Sequence, residues 1–126
     1  QAVEENGGTV VCFETCEGVK AARHLVDTQA EDIFSAIARR DLNTGCAVMS
    51  PNRSRMELLP QLAAEFRVDG ILEVELPVCH PYTVERRERE RLAEHLDLPF
   101  LAVSTDYSQA DVGPLTTRIA AFLELL

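Results

Sequence analysis

Four cysteines, Cys12, Cys16, Cys46 and Cys79, are the residues of this chain best suited to chemistry. The last three are 30 and 33 residues apart, close to one strand-plus-helix unit, so one thiol falls beside each of three successive units. Thiolates arriving from separate loops suit a metal or cluster better than a disulfide framework. No CxxC pair or two-pair zinc pattern occurs, and three thiolates without an evident fourth ligand would leave an open coordination position, as catalytic sites do. The same spacing also fits cysteines buried as small apolar side chains, a frequent use of the free thiol. Cys12 lies inside an apolar run and is expected in the core on that ground.

The neighbours of these thiols supply the remaining candidates. His80 follows Cys79, with Tyr82 just beyond; an imidazole there could donate to a bound group, carry a proton near neutrality, cap the next helix or face water. Glu14 precedes Cys16 by two residues and could orient the site, accept a proton, or sit at a helix start, where the dipole favours a carboxylate. Asn52 and Arg55 flank a helix start, which gives Asn52 a turn-and-cap role and Arg55 a solvated or ion-paired surface role. His24 and His95 fall on helices with no partner motif. The run ERRERER (85–91) reads as a solvated helix face with pairs such as Glu85–Arg89, or as a docking surface. Asp106 and Tyr107 are expected either to line a domain interface or to form a turn.

The elements that must position these residues alternate. Val10–Glu14, Ala47–Met49, Ile71–Leu76 and Phe100–Val103 are short runs rich in Val, Ile, Leu or Phe, as strands covered on both faces tend to be. Gly7-Gly8 leads into the first, and Ser50-Pro51-Asn52 breaks the chain after the second. Helical periodicity fills the gaps. Asp27–Leu42 aligns Ile33, Phe34, Ile37 and Ala38, and Ser54–Arg67 aligns Met56, Leu59, Leu62, Ala63 and Phe66. Thr83–Leu96 has Val84, Leu92 and Leu96 as anchors, and Pro114–Leu126 aligns Leu115, Ile119, Phe122, Leu123 and Leu126. This alternation predicts one α/β domain over residues 1–126: a three-layer sandwich, flavodoxin-like or Rossmann-like, with a four-stranded parallel sheet in the order 2-1-3-4. Cys16 and Cys79 then follow strand ends, where open α/β sheets gather ligands, while Cys46 precedes its strand.

Length and composition narrow the classes. A chain of 126 residues with 46% hydrophobic residues can build one core without disulfide staples. Its formal net charge of −9 excludes a basic nucleic-acid footprint and argues against anionic membranes. No apolar run is long enough to span a bilayer. No GxGxxG or GxxxxGK[ST] motif follows the first strand, which speaks against the common nucleotide-binding versions of the fold. The start at Gln1, with no signal-peptide pattern, reads as an internal boundary. The expectation is a C-terminal fragment of a larger cytoplasmic subunit.

Four stretches carry a family resemblance: VVCFETCEGVK (10–20), CAVMSPNRSR (46–55), DGILEVELPVCHPYTVE (69–85) and TDYSQADVGPLTTRIAAFLELL (105–126). In order and spacing they resemble the C-terminal domain of the 2-hydroxyacyl-CoA dehydratase D-component family, and within it the double-cubane-cluster branch. The resemblance implies that Cys16, Cys46 and Cys79 bind an iron–sulfur cluster, either [4Fe-4S] or one half of a double cubane. It implies low-potential electron transfer to a small substrate, with a 2-hydroxyacyl-CoA as substrate in the dehydratase branch. It also implies three kinds of partner: an N-terminal domain of the same subunit, an ATP-hydrolysing iron–sulfur activator, and a second subunit in a homo- or heterodimer. The full-length protein would be the enzyme, a lyase or reductase, and this domain alone inactive. Gly113-Pro114 stands where the family usually has Gly-Gln, which puts any role of that glutamine in doubt. The competing expectation is a non-redox flavodoxin-like domain that binds a small ligand or makes subunit contacts.

Overall fold

The structure, a computed structural model, describes residues 1–16, 18–49 and 51–126, with residue 21 described by its backbone alone. In chain order it forms α1 (Ala2–Glu5), α2 (Val19–Ala22), α3 (Ile33–Leu42), α4 (Arg53–Phe66), β1 (Ile71–Glu75), α5 (His80–His95), β2 (Phe100–Ser104), a 3-10 turn (Gln109–Asp111) and α6 (Val112–Leu123). Residues Gln1–Val11 and Arg67–Leu126 make one compact unit, and Cys12–Phe66 make another. Among the described residues no helix is long and apolar enough to cross a membrane.

The first unit is built on β1-α5-β2. The two strands pair in parallel, from Ile71 opposite Phe100 to Glu75 opposite Ser104. Hydrogen bonds from Ile71 N to the Pro99 carbonyl (2.9 Å) and from Thr105 N to the Glu75 carbonyl (3.0 Å) extend the ladder at both ends. At the end of α5, Asp97 adopts a positive φ of 56°. Leu98 N then donates to the Ala93 carbonyl at 2.9 Å, so the chain reverses into β2 with the last carbonyls satisfied. α6 packs on β2, and α1 packs on α6, with Val103, Ala93, Ile119 and Phe122 buried. Gly70 opens β1 because α6 ends against it: a Cβ there would lie 2.9 Å from Phe122 Cζ and 2.7 Å from Leu126 Cδ2.

β1 inverts the usual pattern. Period-2 alternation puts Glu73 and Glu75 on one face and Leu72 and Val74 on the other. The glutamates are buried, while Val74 and, just past the strand, Leu76 are exposed. Arg89 of α5 is the reason. It is itself 4% exposed and donates from Nε and Nη2 to the two oxygens of Glu73. It also reaches Glu85 at 3.1 Å and the Tyr82 carbonyl at 2.8 Å, and its guanidinium lies 5.6 Å from the Tyr82 ring centre. Burial alone would lower the Arg89 pKa, but the hydrogen bonds and charge of Glu73, with the charges of Glu85 and Glu75, outweigh it and raise it. Arg86 pairs with Glu75 at 3.2 Å. The ERRERER run is therefore not simply a solvated face, because it locks α5 to β1.

In the second unit, Asp32 caps α3 by accepting from Phe34 N at 3.0 Å and from Ser35 Oγ at 2.5 Å. The Ser35 hydroxyl, then the backbone N–H groups of Phe34 and Ser35, hold its carboxyl below the ordinary range. Ala36, Ala47, Leu58 and Leu62 are buried here.

Several expectations are corrected. The sheet among the described residues has two parallel strands, not four in the order 2-1-3-4. Val10–Glu14 is not a strand: Val11 and Phe13 are exposed at 48% and 61%. The Phe13 carbonyl instead accepts from Val19 N at 3.1 Å, a local closure in place of a ladder. Ala47–Met49 lies in a turn, closed by Met49 N donating to the Cys46 carbonyl at 2.8 Å. Three residues between a turn and a proline offer too few ladder bonds to hold a strand. The break placed at Ser50-Pro51-Asn52 begins at Ser50, outside the described residues. In α3 the apolar face Ile33, Phe34, Ile37 and Ala38 is exposed, and Ala36 is the buried residue. In α4 the buried residues are Arg55, Leu58 and Leu62.

Candidate functional site

Cys16 sits in a closed loop of the second unit. Gly18 N donates to the Thr15 carbonyl, and Val19 N donates to the Phe13 carbonyl, both at 3.1 Å. The chain crosses itself so closely that a Cβ on Gly18 would fall 2.0 Å from the Phe13 carbonyl oxygen. The Cys16 thiol is free and its residue exposed. Cys46 is free and half-buried in the turn before α4, where its N–H donates to the Thr44 carbonyl at 2.7 Å.

Between these segments lies a buried charge cluster. Arg55 donates from Nε (3.0 Å) and Nη2 (2.6 Å) to Oε2 of Glu14. Lys20, only 2% exposed, holds its ammonium 3.3 Å from the other oxygen, Oε1. Glu14 is thus engaged by two cations, an arrangement that fixes the orientation of its carboxylate. Asn52 is buried beside the start of α4. Cys12 is free and half-buried; burial, then the nearby carboxylates of Glu14 and Glu65, push its thiol pKa up. That favours the protonated form, which is a poor ligand.

Cys79 belongs to the other unit, at the N-terminal boundary of α5. Leu76-Pro77-Val78-Cys79 has two marks of a type II turn, Pro at the second position and Cys79 N donating to the Leu76 carbonyl at 3.1 Å. The third position requires positive φ and normally takes glycine. Here it is Val78, at φ 64° and 79% exposed. A left-handed residue with a β-branched side chain is strained by about 1–2 kcal/mol, and glycine would return roughly 0.5–1 kcal/mol of that as chain entropy. Val78→Gly should therefore raise stability by up to about 1 kcal/mol, read from the urea midpoint. A lower midpoint would show that the valine side chain makes contacts that outweigh its strain.

The Cys79 carbonyl accepts from Thr83 N at 3.0 Å. The Thr83 hydroxyl lies 3.1 Å from both that carbonyl and Glu75 Oε2 and can donate to either. His80 is exposed at the first turn of α5, and Tyr82 serves the Arg89 lock. After β2, Asp106 and Tyr107 form a turn: Ser108 N donates to Asp106 Oδ1 at 2.8 Å, and Tyr107 N to Thr105 Oγ1 at 3.0 Å. The His24 carbonyl accepts from Arg40 Nε at 3.1 Å.

The donor chemistry fits iron, since three free thiols are the preferred protein ligands of iron–sulfur clusters. Cys16 and Cys46 lie in one unit and Cys79 in the other, so neither unit alone carries all three. Among the described residues no three His, Cys, Asp or Glu side chains form a metal-holding group. Lys20 and the Glu73–Arg89 lock were missed in the sequence. Glu73 and Glu75, alternating inside an apolar strand and followed by an arginine run, were the signal for the lock. Nothing local marked Lys20.

The family described as 2-hydroxyglutaryl-CoA dehydratase, D-component, matches residues 1–126. YjiM of Escherichia coli strain K12, a protein named for a dehydratase subunit role that its name leaves unproven, is 43% identical over 127 residues, covering 100% of this chain and 33% of that protein. The (R)-phenyllactyl-CoA dehydratase beta subunit of Clostridium sporogenes is 23% identical over 125 residues, covering 98% of this chain and 33% of that protein. The chain spans about a third of the length of the curated relatives it matches.

Proposed function

The chain belongs to the 2-hydroxyglutaryl-CoA dehydratase D-component family, and on that premise we propose that it binds an iron–sulfur cluster in a longer dehydratase-type subunit. Cys16, Cys46 and Cys79 are the proposed ligands. The observation that carries this reading is that all three thiols are free and sit in loops or turns, inside a family match that covers the whole chain. When bound, the cluster would supply single electrons at low potential for a difficult reduction or dehydration. The chain's own residues would hold it: Glu14 orients the Cys16 loop, and the turn at Val78 sets Cys79 at the head of α5. His80, exposed beside Cys79, is the proposed proton carrier.

The finer form of the reading is the double-cubane branch, with one cubane here and the other on an N-terminal domain of the same subunit. A 2-hydroxyacyl-CoA is the proposed substrate class. The proposed partners are an ATP-hydrolysing iron–sulfur activator and a second subunit; one relative is named as a beta subunit. The proposed location is the cytoplasm, where reduced thiols persist.

Iron and acid-labile sulfide in the subunit, purified without oxygen, test the reading. Cys16→Ser, Cys46→Ser and Cys79→Ser should each lose most of the iron, and Cys12→Ser should keep it. Unchanged iron in Cys79→Ser would overturn the ligand set. Absence of iron from the anaerobic wild type would favour the non-redox reading, a small-ligand or subunit-contact domain.

A further inference from the structure

Arg55 touches both cysteine segments of its unit. Its guanidinium grips Glu14, two residues before Cys16, with two N–H donors on one oxygen at 3.0 and 2.6 Å. Its backbone is packed against Gly45, the residue before Cys46: a Cβ on Gly45 would lie 2.9 Å from Arg55 Cβ, 3.0 Å from its Cα and 3.1 Å from its N. Arg55 is 6% exposed, so its ion pair acts in a medium where direction and charge are weakly screened. A point charge could neutralise Glu14, but the planar guanidinium also fixes the angle at which the carboxylate is held. Gly45 allows the turn to approach the helix backbone at this point, which carries the Cys46 segment onto the same anchor.

From this juxtaposition we propose that Arg55 and Glu14 are positioning residues for Cys16 and Cys46, setting the Cys16 loop against the Cys46 turn so that both thiols meet iron in register. The proposal rests on the reading of those two cysteines as ligands. Arg55 acts through Glu14 and through the close contact at Gly45, as residues behind metal ligands do when they fix ligand orientation. Lys20 adds a charge interaction, 3.3 Å from the second carboxylate oxygen, that opposes rotation of Glu14 about its last bond.

The test uses the anaerobically purified subunit with Arg55→Lys, Glu14→Gln and the double variant Arg55→Lys/Glu14→Gln, beside Cys16→Ser. Iron retention against a chelator, the electron paramagnetic resonance spectrum of the reduced protein and the thermal melt are read together. Arg55→Lys keeps the charge and the Gly45 contact but loses the fork. The expected result is a cooperative melt, iron retention weakened about 10–100-fold, and broadened resonances from unevenly held ligands. Glu14→Gln should move the same way, and the double variant should be no worse than the more severe single change, because the two residues act as one unit. Wild-type retention and resonances in both single variants overturn the proposal, as does iron loss that only follows the unfolded fraction. If Arg55→Lys does not fold, Glu14→Gln decides alone by the same readouts. Cys16→Ser separates the two failures. If it keeps its iron, the ligand reading fails; if it loses iron while Arg55→Lys and Glu14→Gln do not, only the positioning role fails.

Discussion

Arg89→Met should destabilise the protein by about 3–5 kcal/mol, the largest single-residue effect on stability that we expect. The substitution keeps an unbranched apolar stem, ends short of the guanidinium and removes the charge, leaving the Glu73 carboxylate buried on β1 without its partner. The unmatched carboxylate, more than the lost attraction, sets the cost. The double substitution Glu73→Leu/Arg89→Met removes both charges together and should recover most of the loss, since apolar replacements of a buried ion pair are often neutral or stabilising. Urea unfolding of wild type, both singles and the double closes the cycle. A double variant as weak as Arg89→Met would mean that Glu85, Glu75 and Tyr82 hold the lock independently of Glu73.

Gly18→Ala should open the Cys16 loop. The added carbon would stand 2.0 Å from the Phe13 carbonyl oxygen and 2.9 Å from its carbon, and these are backbone atoms that cannot rotate away. The loop must part, and the bond from Val19 N to the Phe13 carbonyl goes with it. Overpacking of this kind costs about 1–3 kcal/mol, and the larger consequence is expected in bound iron, because Cys16 rides on the loop. Gly113→Ala is the control. A Cβ there meets nothing within 4 Å, so iron should match wild type and stability should be equal or higher, by up to about 1 kcal/mol, since alanine is the better helix former. Equal iron in Gly18→Ala and Gly113→Ala would show that the closed loop does not matter to the ligand.

The sequence marked best the elements that support themselves locally. β1, α5, β2 and α6 were each visible from an apolar run or a helical period bounded by turn residues, and each was found within a few residues. Val10–Glu14 failed because composition specifies the affinity of a segment for a sheet, while pairing needs a neighbour in register; Phe13 spends its carbonyl on Val19 instead. The α3 face failed for a related reason: periodicity shows which side would be buried if covered, not whether a cover is present. β1 was found, but where its apolar content suggests cover on both faces, Val74 is exposed and the buried side carries Glu73 and Glu75, because Arg89 of α5 meets Glu73 there. Of the candidate site, the three thiols and Glu14 stood out in the sequence. The grip of Arg55 on Glu14 did not, since 41 residues separate them and no local pattern joins them.

The inward charges also change what the solvent sees. Lys20, Arg55 and Arg89 among 12 basic residues, and Glu14, Glu73 and Glu75 among 21 acidic ones, are occupied in the two internal clusters. Among the remaining charges acids outnumber bases two to one, so the chain's outward electrostatics are dominated by repulsion between carboxylates. Counterions shorten the reach of that repulsion from about 30 Å at 0.01 M to about 8 Å at 0.15 M ionic strength, and they barely enter the buried pairs. Moderate salt should therefore strengthen this fold, the reverse of its effect on a protein held by surface ion pairs.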